Sequence, residues 1–258
     1  MEEMKKMRGF HNHVKSVVLE KYAKISNANS LLDIGTGRGG DMHKWNKIGI
    51  NYVIGIDIQK SYIQEAIARY SNTRSLLRRK YKFYYTSPQN MFLPYLQYKK
   101  YTTEFDMISC MFAFHYFFES EESLRNILSQ ISFSLRENGY FVCVSPLGEK
   151  VLELLQNNKS FKNNICYIEK DYETLSDFGN KIKFMLSGTL YFGEKMMSEE
   201  YLIIKDKLVD IAKEYNLTVV EYDSFSKYYT HTNMPLESEI VSFLNGVIVF
   251  KKICNTQT

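Results

Sequence analysis

Apolar positions along this chain follow two spacings, one typical of buried strands and one typical of helices. Short apolar runs predict strands at Ser30–Ile34, 52–58, 81–85, 105–112 and 140–145. Apolar residues three and four positions apart predict helices at 10–25, 41–48, 61–70 and 120–135, with Ser61 and Ser120 as N-caps of the last two. Strands that alternate with helices in this way indicate parallel βαβ units and an α/β fold.

The alternation stops over residues 147–200, where we expect an insertion that faces a functional site. Beyond it, the pattern predicts a helix at 199–215 and strands at 217–222 and 246–251. Because no long helix separates the last two strands, one late strand is expected to run antiparallel. The 4 prolines and 13 glycines form no linker, so residues 1–258 are interpreted as a single domain.

Composition narrows the class of protein only a little. Hydrophobic residues make up 45% and charged residues 24%, as in an ordinary globular domain. The four cysteines lie far apart and form no CxxC pair, so neither a zinc site nor a disulfide framework is expected. No run predicts a membrane span or a secretory signal. We therefore expect an intracellular protein without a metal ion.

The distribution of charge is more informative than the net charge of +4. Six basic residues crowd one short stretch: Arg69, Arg74, Arg78, Arg79, Lys80 and Lys82. Such a run is compatible with a solvated face and with a surface that contacts phosphates. The sequence leaves these two interpretations open.

The clearest chemical motif is LLDIGTGRGGD at residues 31–41. Gly35, Gly37 and Gly40 have the spacing GxGxxG, directly after a predicted strand and before a predicted helix. Glycines at such a turn let the backbone approach a ligand closely. Nicotinamide and flavin enzymes share this spacing, so the glycines alone do not choose the cofactor.

Three carboxylates around this loop narrow the choice. Asp41, at the predicted helix start, would repel the pyrophosphate of a dinucleotide, although it is equally well explained as a helix N-cap. Asp57 ends the next strand, where a carboxylate can accept both hydroxyls of a ribose, and Asp33 would be costly to bury without a partner. A ligand with a ribose, a positive group and no phosphate fits this loop. S-adenosylmethionine has these features, which predicts a methyltransferase that releases S-adenosylhomocysteine.

Several segments occur in an order that points to one family. They are FHNHVKSVVLE (10–20), LLDIGTGRGGDMHKW (31–45), YVIGIDI (52–58), FDMISCMFAFHYFFES (105–120), LRENGYFVCVSP (135–146) and SEEYLII (198–204). Together they resemble the mRNA cap guanine-N7 methyltransferases of eukaryotes and large DNA viruses, most closely at GRGGD followed by KW and at FAFHYFFES. The resemblance implies a Rossmann-like class I methyltransferase fold with a mostly parallel sheet and one antiparallel late strand.

The resemblance also implies roles for the residues that match. With the loop residues above, the set expected at the cofactor is Lys15, Asp33, Gly35, Gly37, Asp41, Asp57, Ser87, Met111 and Tyr116. The set expected at the capped RNA is His11, Asn12, Arg38, Lys44, Arg69, His115, Glu200 and Asn245. His115 and Glu200 would position the guanine, and no residue is expected to act as an acid or a base.

The chain departs from the family at four places. His11–Asn12 stands where two asparagines are usual, Met111 where a glutamine is usual, and Asn245 where a tyrosine is usual. An acidic residue that binds the adenine amino group is absent, which leaves Ser87 or Gln89 for that contact.

Several of these residues also have purely structural interpretations. His115 is compatible with a core histidine, Glu200 with an exposed helix start, and Lys44 and Arg69 with a solvated helix face. Trp45 is expected to pack in the core rather than to stack on a cap.

The predicted reaction is methyl transfer from S-adenosylmethionine to N7 of the 5′ guanosine cap of RNA. Guanine N7 carries a lone pair and no proton at neutral pH, so orientation alone can supply about 7–11 kcal/mol. Two alternatives stay open: a small-molecule methyltransferase with the same fold, and a non-catalytic, RNA-binding subunit of a capping complex.

The resemblance implies 5′-capped RNA as the partner. RNA triphosphatase or guanylyltransferase domains, or an activating subunit, would join it, and no membrane is expected. A cellular enzyme would lie in the nucleus, and a viral one in the host cytoplasm or the virion. Since the chain begins almost at FHNH, we expect either a stand-alone enzyme or a domain excised from a larger one.

Overall fold

The computed structural model describes residues 2–86, 104–186, 197–230 and 233–254. The strands are β1 Ser30–Ile34, β2 Tyr52–Asp57, β3 Lys80–Tyr85, β4 Phe105–Met111, β5 Leu135–Pro146, β6 Ser160–Lys162, β7 Cys166–Lys170, β8 Lys181–Leu186, β9 Ser198–Tyr201, β10 Leu217–Ser224 and β11 Asn245–Lys252. The α-helices are α1 Glu2–Ser26, α2 Met42–Lys47, α3 Lys60–Asn72, α4 Glu121–Ser134, α5 Gly148–Leu155, α6 Lys205–Glu214 and α7 Leu236–Phe243. Short 3₁₀ helices lie at Arg74–Leu76, Phe114–Glu119 and Phe225–Tyr228.

Seven strands form the main sheet, in the order β10-β11-β5-β4-β1-β2-β3. β1 to β5 pair in parallel, as the alternation of strands and helices predicts. β11 runs antiparallel to both of its neighbours, β5 and β10, so the expected antiparallel late strand is confirmed. Among its described residues, the connection between β10 and β11 contains a 3₁₀ helix and the eight residues of α7 but no long helix, which suits an antiparallel return.

Helices cover both faces of the main sheet. On one face, Val18 of α1 and the fully buried Trp45 of α2 join a cluster with Val53 of β2. On the other face, Ile127 of α4 and Leu208 of α6 belong to a second cluster. Strands buried on both faces explain why β1, β2 and β4 have almost continuous apolar sequences. Trp45 lies in the core, as expected.

A second sheet of four antiparallel strands, in the order β6-β7-β8-β9, forms from part of the segment predicted to be an insertion. The predicted helix at 199–215 is wrong at its beginning, because Ser198–Tyr201 pair with β8 and the helix begins only at Lys205. Pairing between distant strands has overridden the local pattern there.

The predicted helix ends are partly right. Ser120 is an N-cap, and its hydroxyl accepts a hydrogen bond from the amide of Ser123 at 3.1 Å. Ser61 is not a cap, since α3 already begins at Lys60 after the extended Gln59. α1 begins well before residue 10, because Met4 and Met7 are buried and continue its apolar face.

Cys110, Cys143 and Cys166 are buried, Cys254 is exposed, and all four thiols are free. Every helix of the described ranges is too short or too polar to cross a membrane. Within those ranges, no three His, Cys, Asp or Glu side chains are placed to hold a metal ion.

Candidate active site

A cleft of about 820 Å³ lies at the carboxyl ends of β1, β2 and β4, where α/β sheets of this kind bind their ligands. Its walls come from the loop after β1, the end of β2, the 3₁₀ helix after β4, the second sheet, and helices α1 and α7. The expected site residues among its lining are His11, Gly35, Gly37, Asp57, Met111, His115, Tyr116, Glu200 and Asn245.

Three glycines of the loop after β1 have a positive φ, and at two of them a Cβ would also clash with a neighbour. Gly35 has φ +70°, and a Cβ there would lie 2.7 Å from that of Ala113. Gly39 has φ +68°, and a Cβ there would collide with Met42. The third glycine of the motif, Gly40, does not have a positive φ. The backbone therefore requires glycine at position 39, whereas the GxGxxG spacing pointed to Gly40.

Asp57 ends β2 with both carboxylate oxygens held by backbone amides. Oδ2 accepts from the amide of Gly37 at 2.7 Å, and Oδ1 accepts from the amide of Gln59 at 2.8 Å. Each oxygen keeps a second lone pair, and the residue lines the cleft. Asp57 is thus pre-positioned to accept hydrogen bonds from a ligand that carries two neighbouring hydroxyls.

Asp33 lies beneath the loop and is not part of the cleft lining. The Ser109 hydroxyl donates to its Oδ1 at 2.5 Å, which supplies the partner that a buried carboxyl needs. Burial raises the pKa of Asp33 to about 7, and the charge of Asp41 adds to this effect.

Asp41 pairs with two lysines. Its Oδ1 lies 2.8 Å from Lys15 Nζ and 2.7 Å from Lys44 Nζ, and Lys44 also donates to Asn12 Oδ1 at 2.9 Å. Burial by itself would raise the pKa of Asp41, but the two ammonium groups outweigh it and lower that pKa.

This pairing corrects two expectations about Asp41. The residue stands at the N-cap position of α2, but its side chain makes no capping hydrogen bond. Two lysines and one aspartate carry a net charge of +1, so the argument that Asp41 repels a phosphate is wrong. None of these three residues lines the cleft itself; they lie behind the loop.

His115 and Glu200 meet at the cleft. His115 Nδ1 lies 3.0 Å from the Ser145 hydroxyl, and Nε2 lies 3.5 Å from Glu200 Oε2. Nε2 is buried and makes no hydrogen bond to any described residue. Burial lowers the pKa of His115, and the nearby carboxylate of Glu200 opposes this only in part.

Glu200 owes its position to the second sheet. It lies on β9 opposite Ile182 of β8, and its Oε1 accepts a hydrogen bond from the Ser198 hydroxyl at 2.9 Å. The alternative interpretation of Glu200 as an exposed helix start is therefore wrong, since only 14% of the side chain is exposed.

Aromatic rings surround this pair and the cofactor loop. Tyr116 packs on His115 at 4.2 Å between ring centroids, and His11 stacks on Phe112 at 5.6 Å. Burial, with help from the charge of Lys15, lowers the pKa of His11 to about 4, so this imidazole is neutral at pH 7. Its Nε2 lies 3.0 Å from the hydroxyl of Ser242 on α7.

Asn245 lines the cleft, but its amide donates to two carbonyls of α7, those of Val241 and Ser242. Its side chain thus completes the hydrogen bonds at the end of that helix.

Other expected residues lie away from the cleft. The Arg38 guanidinium lies 4.7 Å from the centre of the Tyr62 ring and 2.9 Å from Glu65. Arg69 is exposed in the last turn of α3, seven residues or about 10 Å beyond Tyr62, which lines the cleft. Ser87 lies outside the described residues.

Sequence reasoning missed Arg8, which lines the cleft one helical turn before His11. In the described ranges it is the one Lys or Arg of the cleft lining, and no carboxylate lies within ion-pair distance of it. The helical spacing of Arg8, His11 and Lys15 was the available signal. Tyr62, Phe184 and Tyr201 were also missed.

The architecture is that of S-adenosylmethionine-dependent methyltransferases. The CcbJ methyltransferase of Streptomyces caelestis superposes with a TM-score of 0.64 at 12% identity, covering 93% of this chain and 89% of that one. An S-adenosylmethionine-dependent methyltransferase from Clostridium acetobutylicum gives a TM-score of 0.63 at 16% identity, with coverages of 93% and 91%. The predicted fold class is confirmed.

Sequence comparison identifies the family within that class. The profile of the mRNA (guanine-N(7))-methyltransferase domain matches residues 2–247. The chain belongs to this family, and the resemblance found in the sequence is confirmed.

Three curated relatives are named as mRNA cap guanine-N(7) methyltransferases. The mRNA cap guanine-N(7) methyltransferase of Drosophila melanogaster is 28% identical over 245 residues, which cover 86% of this chain and 55% of that protein. The protein of that name in Saccharomyces cerevisiae is 28% identical over 243 residues, covering 87% and 53%. The Oryza sativa subsp. japonica mRNA cap guanine-N(7) methyltransferase 1 is 29% identical over 237 residues, covering 84% and 62%. The chain therefore spans only 53% to 62% of the length of these relatives.

Proposed function

We propose that this chain transfers a methyl group from S-adenosylmethionine to N7 of the guanosine cap of RNA. The observation that carries the proposal is the pair of His115 and Glu200 at the cleft. A buried ring nitrogen without a hydrogen bond in the described ranges, beside a carboxylate, suits a planar polar ligand that satisfies both. The donor edge of guanine is such a ligand.

The cofactor half of the cleft fits S-adenosylmethionine. The Gly35–Gly37 backbone leaves room for close approach, and Asp57 offers two fixed acceptors for the hydroxyls of a ribose. Lys15 contributes to a net positive group behind the loop, which favours the cofactor's carboxylate. When bound, S-adenosylmethionine supplies the electrophilic methyl group.

The part of the cleft around His115 and Glu200, which we call the guanine half, has to orient its ligand rather than remove a proton. Glu200 can accept from the N1 and N2 hydrogens of guanine, and its negative charge favours the positive charge that develops on the ring. His115 is held through Ser145, which fixes the direction of Nε2. The Tyr116 ring packs against the His115 ring and limits how far the imidazole can tilt. N7 attacks with its own lone pair, so no catalytic base is required.

Positive groups near the cleft suit the triphosphate of the cap. Arg8 lines the cleft and has no carboxylate within ion-pair distance among the described residues. Lys15 and Lys44 share one aspartate and leave a net charge of +1. Arginine and lysine next to a phosphate form strong charge-assisted hydrogen bonds.

The natural partner is 5′-capped RNA inside the cell. For a cellular enzyme we place the reaction in the nucleus, and for a viral enzyme in the host cytoplasm or the virion. Since the curated relatives are longer than this chain, RNA triphosphatase or guanylyltransferase domains or an activating subunit are the further partners that we propose.

A transfer assay with labelled S-adenosylmethionine tests the function. The acceptors are capped RNA, GTP and uncapped RNA of the same sequence. We expect transfer to capped RNA, weaker transfer to GTP and none to uncapped RNA. Binding of S-adenosylmethionine in calorimetry without transfer to capped RNA would refute the proposal and favour a non-catalytic subunit. Transfer without preference for a cap would favour a small-molecule methyltransferase.

A further inference from the structure

One long segment of the chain is free of acidic residues. Between residues 66 and 103 there is no Asp or Glu, although 8 residues are Lys or Arg. Charged surfaces of soluble proteins usually mix the two signs. A single-sign stretch of this length therefore suggests a ligand of opposite charge.

The structure exposes part of this segment beside the main sheet. Arg74 lies in a 3₁₀ helix, Arg78 in the turn that follows, and Lys80 opens β3; all three side chains are exposed. We call these three residues the basic edge. No carboxylate lies within ion-pair distance of any of them in the part of the chain that the structure describes.

Three other cationic side chains of the protein each have a polar partner. Arg79 is only half-exposed, and its Nε donates to Asn46 Oδ1 at 3.0 Å, so it ties β3 to the end of α2. Lys181 and Lys207, on other surfaces, each have a carboxylate partner at 2.8 Å. The basic edge thus differs from Arg79, Lys181 and Lys207, which each have a polar partner.

The sheet register relates the basic edge to the cleft. β2 and β3 run in parallel, with Tyr52 opposite Lys80 and Asp57 opposite Tyr85. Asp57 lines the cleft, so Lys80 lies five residues, or about 17 Å, from that end of the sheet. About five stacked nucleotides span such a distance at about 3.4 Å each.

We propose that the basic edge binds phosphates of the RNA chain several nucleotides downstream of the cap. The inference rests on the proposed function, because the capped end must occupy the cleft for the chain to reach this surface. The contacts are to the backbone and carry no sequence preference. They would let the enzyme hold a long transcript more tightly than a free cap.

The test compares two acceptors in the triple variant Arg74→Gln/Arg78→Gln/Lys80→Gln. One acceptor is the dinucleotide GpppA, and the other is a capped oligonucleotide long enough to reach the basic edge. The control variant, Lys207→Gln/Lys213→Gln/Lys227→Gln, removes the same charge from half-exposed and exposed positions on α6 and the 3₁₀ helix at Phe225–Tyr228.

We expect the triple variant to raise KM for the oligonucleotide roughly ten- to hundredfold at about 0.1 M salt, and to leave GpppA unaffected. The slope of log affinity against log salt should become shallower by about 2, because each phosphate of a single strand that a cation neutralises accounts for about 0.7 of that slope. The control should change neither value. A triple variant with an unchanged KM and salt slope, or with equal losses on both acceptors, would overturn the proposal.

Fluorescence anisotropy with the same oligonucleotide keeps this test separate from the proposed function. If wild-type protein fails to methylate GpppA, the proposed methyl transfer is wrong. Loss of RNA binding in the triple variant alone would still support RNA binding by the basic edge. Loss of binding to an acidic peptide, with RNA binding intact, would assign the surface to a protein partner and refute the inference.

Discussion

Glu200 and Glu199 are adjacent carboxylates on β9 with opposite surroundings. Glu200 reaches the cleft beside His115, whereas Glu199 is exposed and pairs with Lys181 at 2.8 Å. We expect Glu200→Gln to lower kcat/KM for GpppA by about a hundredfold, because one or two charge-assisted hydrogen bonds to guanine disappear, each worth about 1.5–3 kcal/mol. Cofactor affinity in calorimetry should stay nearly the same.

Glu199→Gln is the matched control and should leave both quantities unchanged. An equal loss of cofactor affinity and transfer in Glu200→Gln would contradict its assignment to the guanine half of the cleft.

Asp33 offers a second test at the scale of one residue. Its pKa is raised to about 7 in the folded protein, whereas an unfolded chain titrates at about 3.9. Between these values the folded protein holds a proton that the unfolded chain has released. The free energy of unfolding therefore falls as pH rises from about 4 to about 7.

Asparagine at this position cannot titrate, so Asp33→Asn should flatten that slope by at most about 1.4 kcal/mol per pH unit. Urea denaturation across this window measures it, with Asp223→Asn on β10 as a control for the loss of one carboxylate. Parallel slopes for wild type and Asp33→Asn would show that Asp33 is ionised throughout.

Among the elements, α4 directly follows the 3₁₀ helix that carries His115. The Ser120 hydroxyl caps α4, and loss of an N-cap costs about 1 kcal/mol. We expect Ser120→Ala to lower the free energy of unfolding by that amount in chemical denaturation. Ser129→Ala, at an exposed position in the middle of the same helix, should not destabilise, because alanine favours helices more than serine. Equal effects of both changes would argue against the cap.

The sequence predicts elements well where local pattern and tertiary structure agree. β1 was predicted with its observed bounds, since a strand buried on both faces gives a continuous apolar run. β9 was missed because Ser198–Tyr201 carry two glutamates and become a strand only through pairing with β8. α7 was missed as well, being short and close to a strand.

The candidate site also divides into residues that the local sequence specifies and contacts that depend on the tertiary structure. The loop after β1 and Asp57 follow from neighbouring residues, so the sequence contained them. The contact of His115 with Glu200, and that of Asp41 with Lys15, join residues far apart in the chain. Side-chain direction in such pairs depends on the register of β9 and the placement of α1, which no local pattern specifies.

At the scale of the whole molecule, α1 connects the cleft to the far edge of the main sheet. Its Lys21 and Tyr22 donate to Oε2 of Glu221 on β10, at 2.5 and 2.6 Å, and Tyr228 donates to the other oxygen. The same helix carries Arg8, which lines the cleft. We expect Glu221→Ala to destabilise the protein by roughly 2 kcal/mol, because two tyrosine hydroxyls lose their partner.

Thermal unfolding measures this loss, and Asp223→Ala, which breaks a half-exposed pair with Lys227, should cost much less. If the two variants lose the same stability, the three hydrogen bonds of Glu221 do not fasten α1 to β10.

Asp57 and Glu200 reach the cleft from two different sheets, and this has a consequence for how such enzymes diversify. In the proposed function, the methyl donor is held by the loops at the carboxyl edge of the parallel sheet, whereas Glu200 lies on one of the antiparallel strands β6–β9. Those strands form one continuous stretch of sequence with pairings between chain neighbours. Replacement of that single stretch would change the side of the cleft that holds Glu200 and leave Asp57, His115 and Arg8 in place.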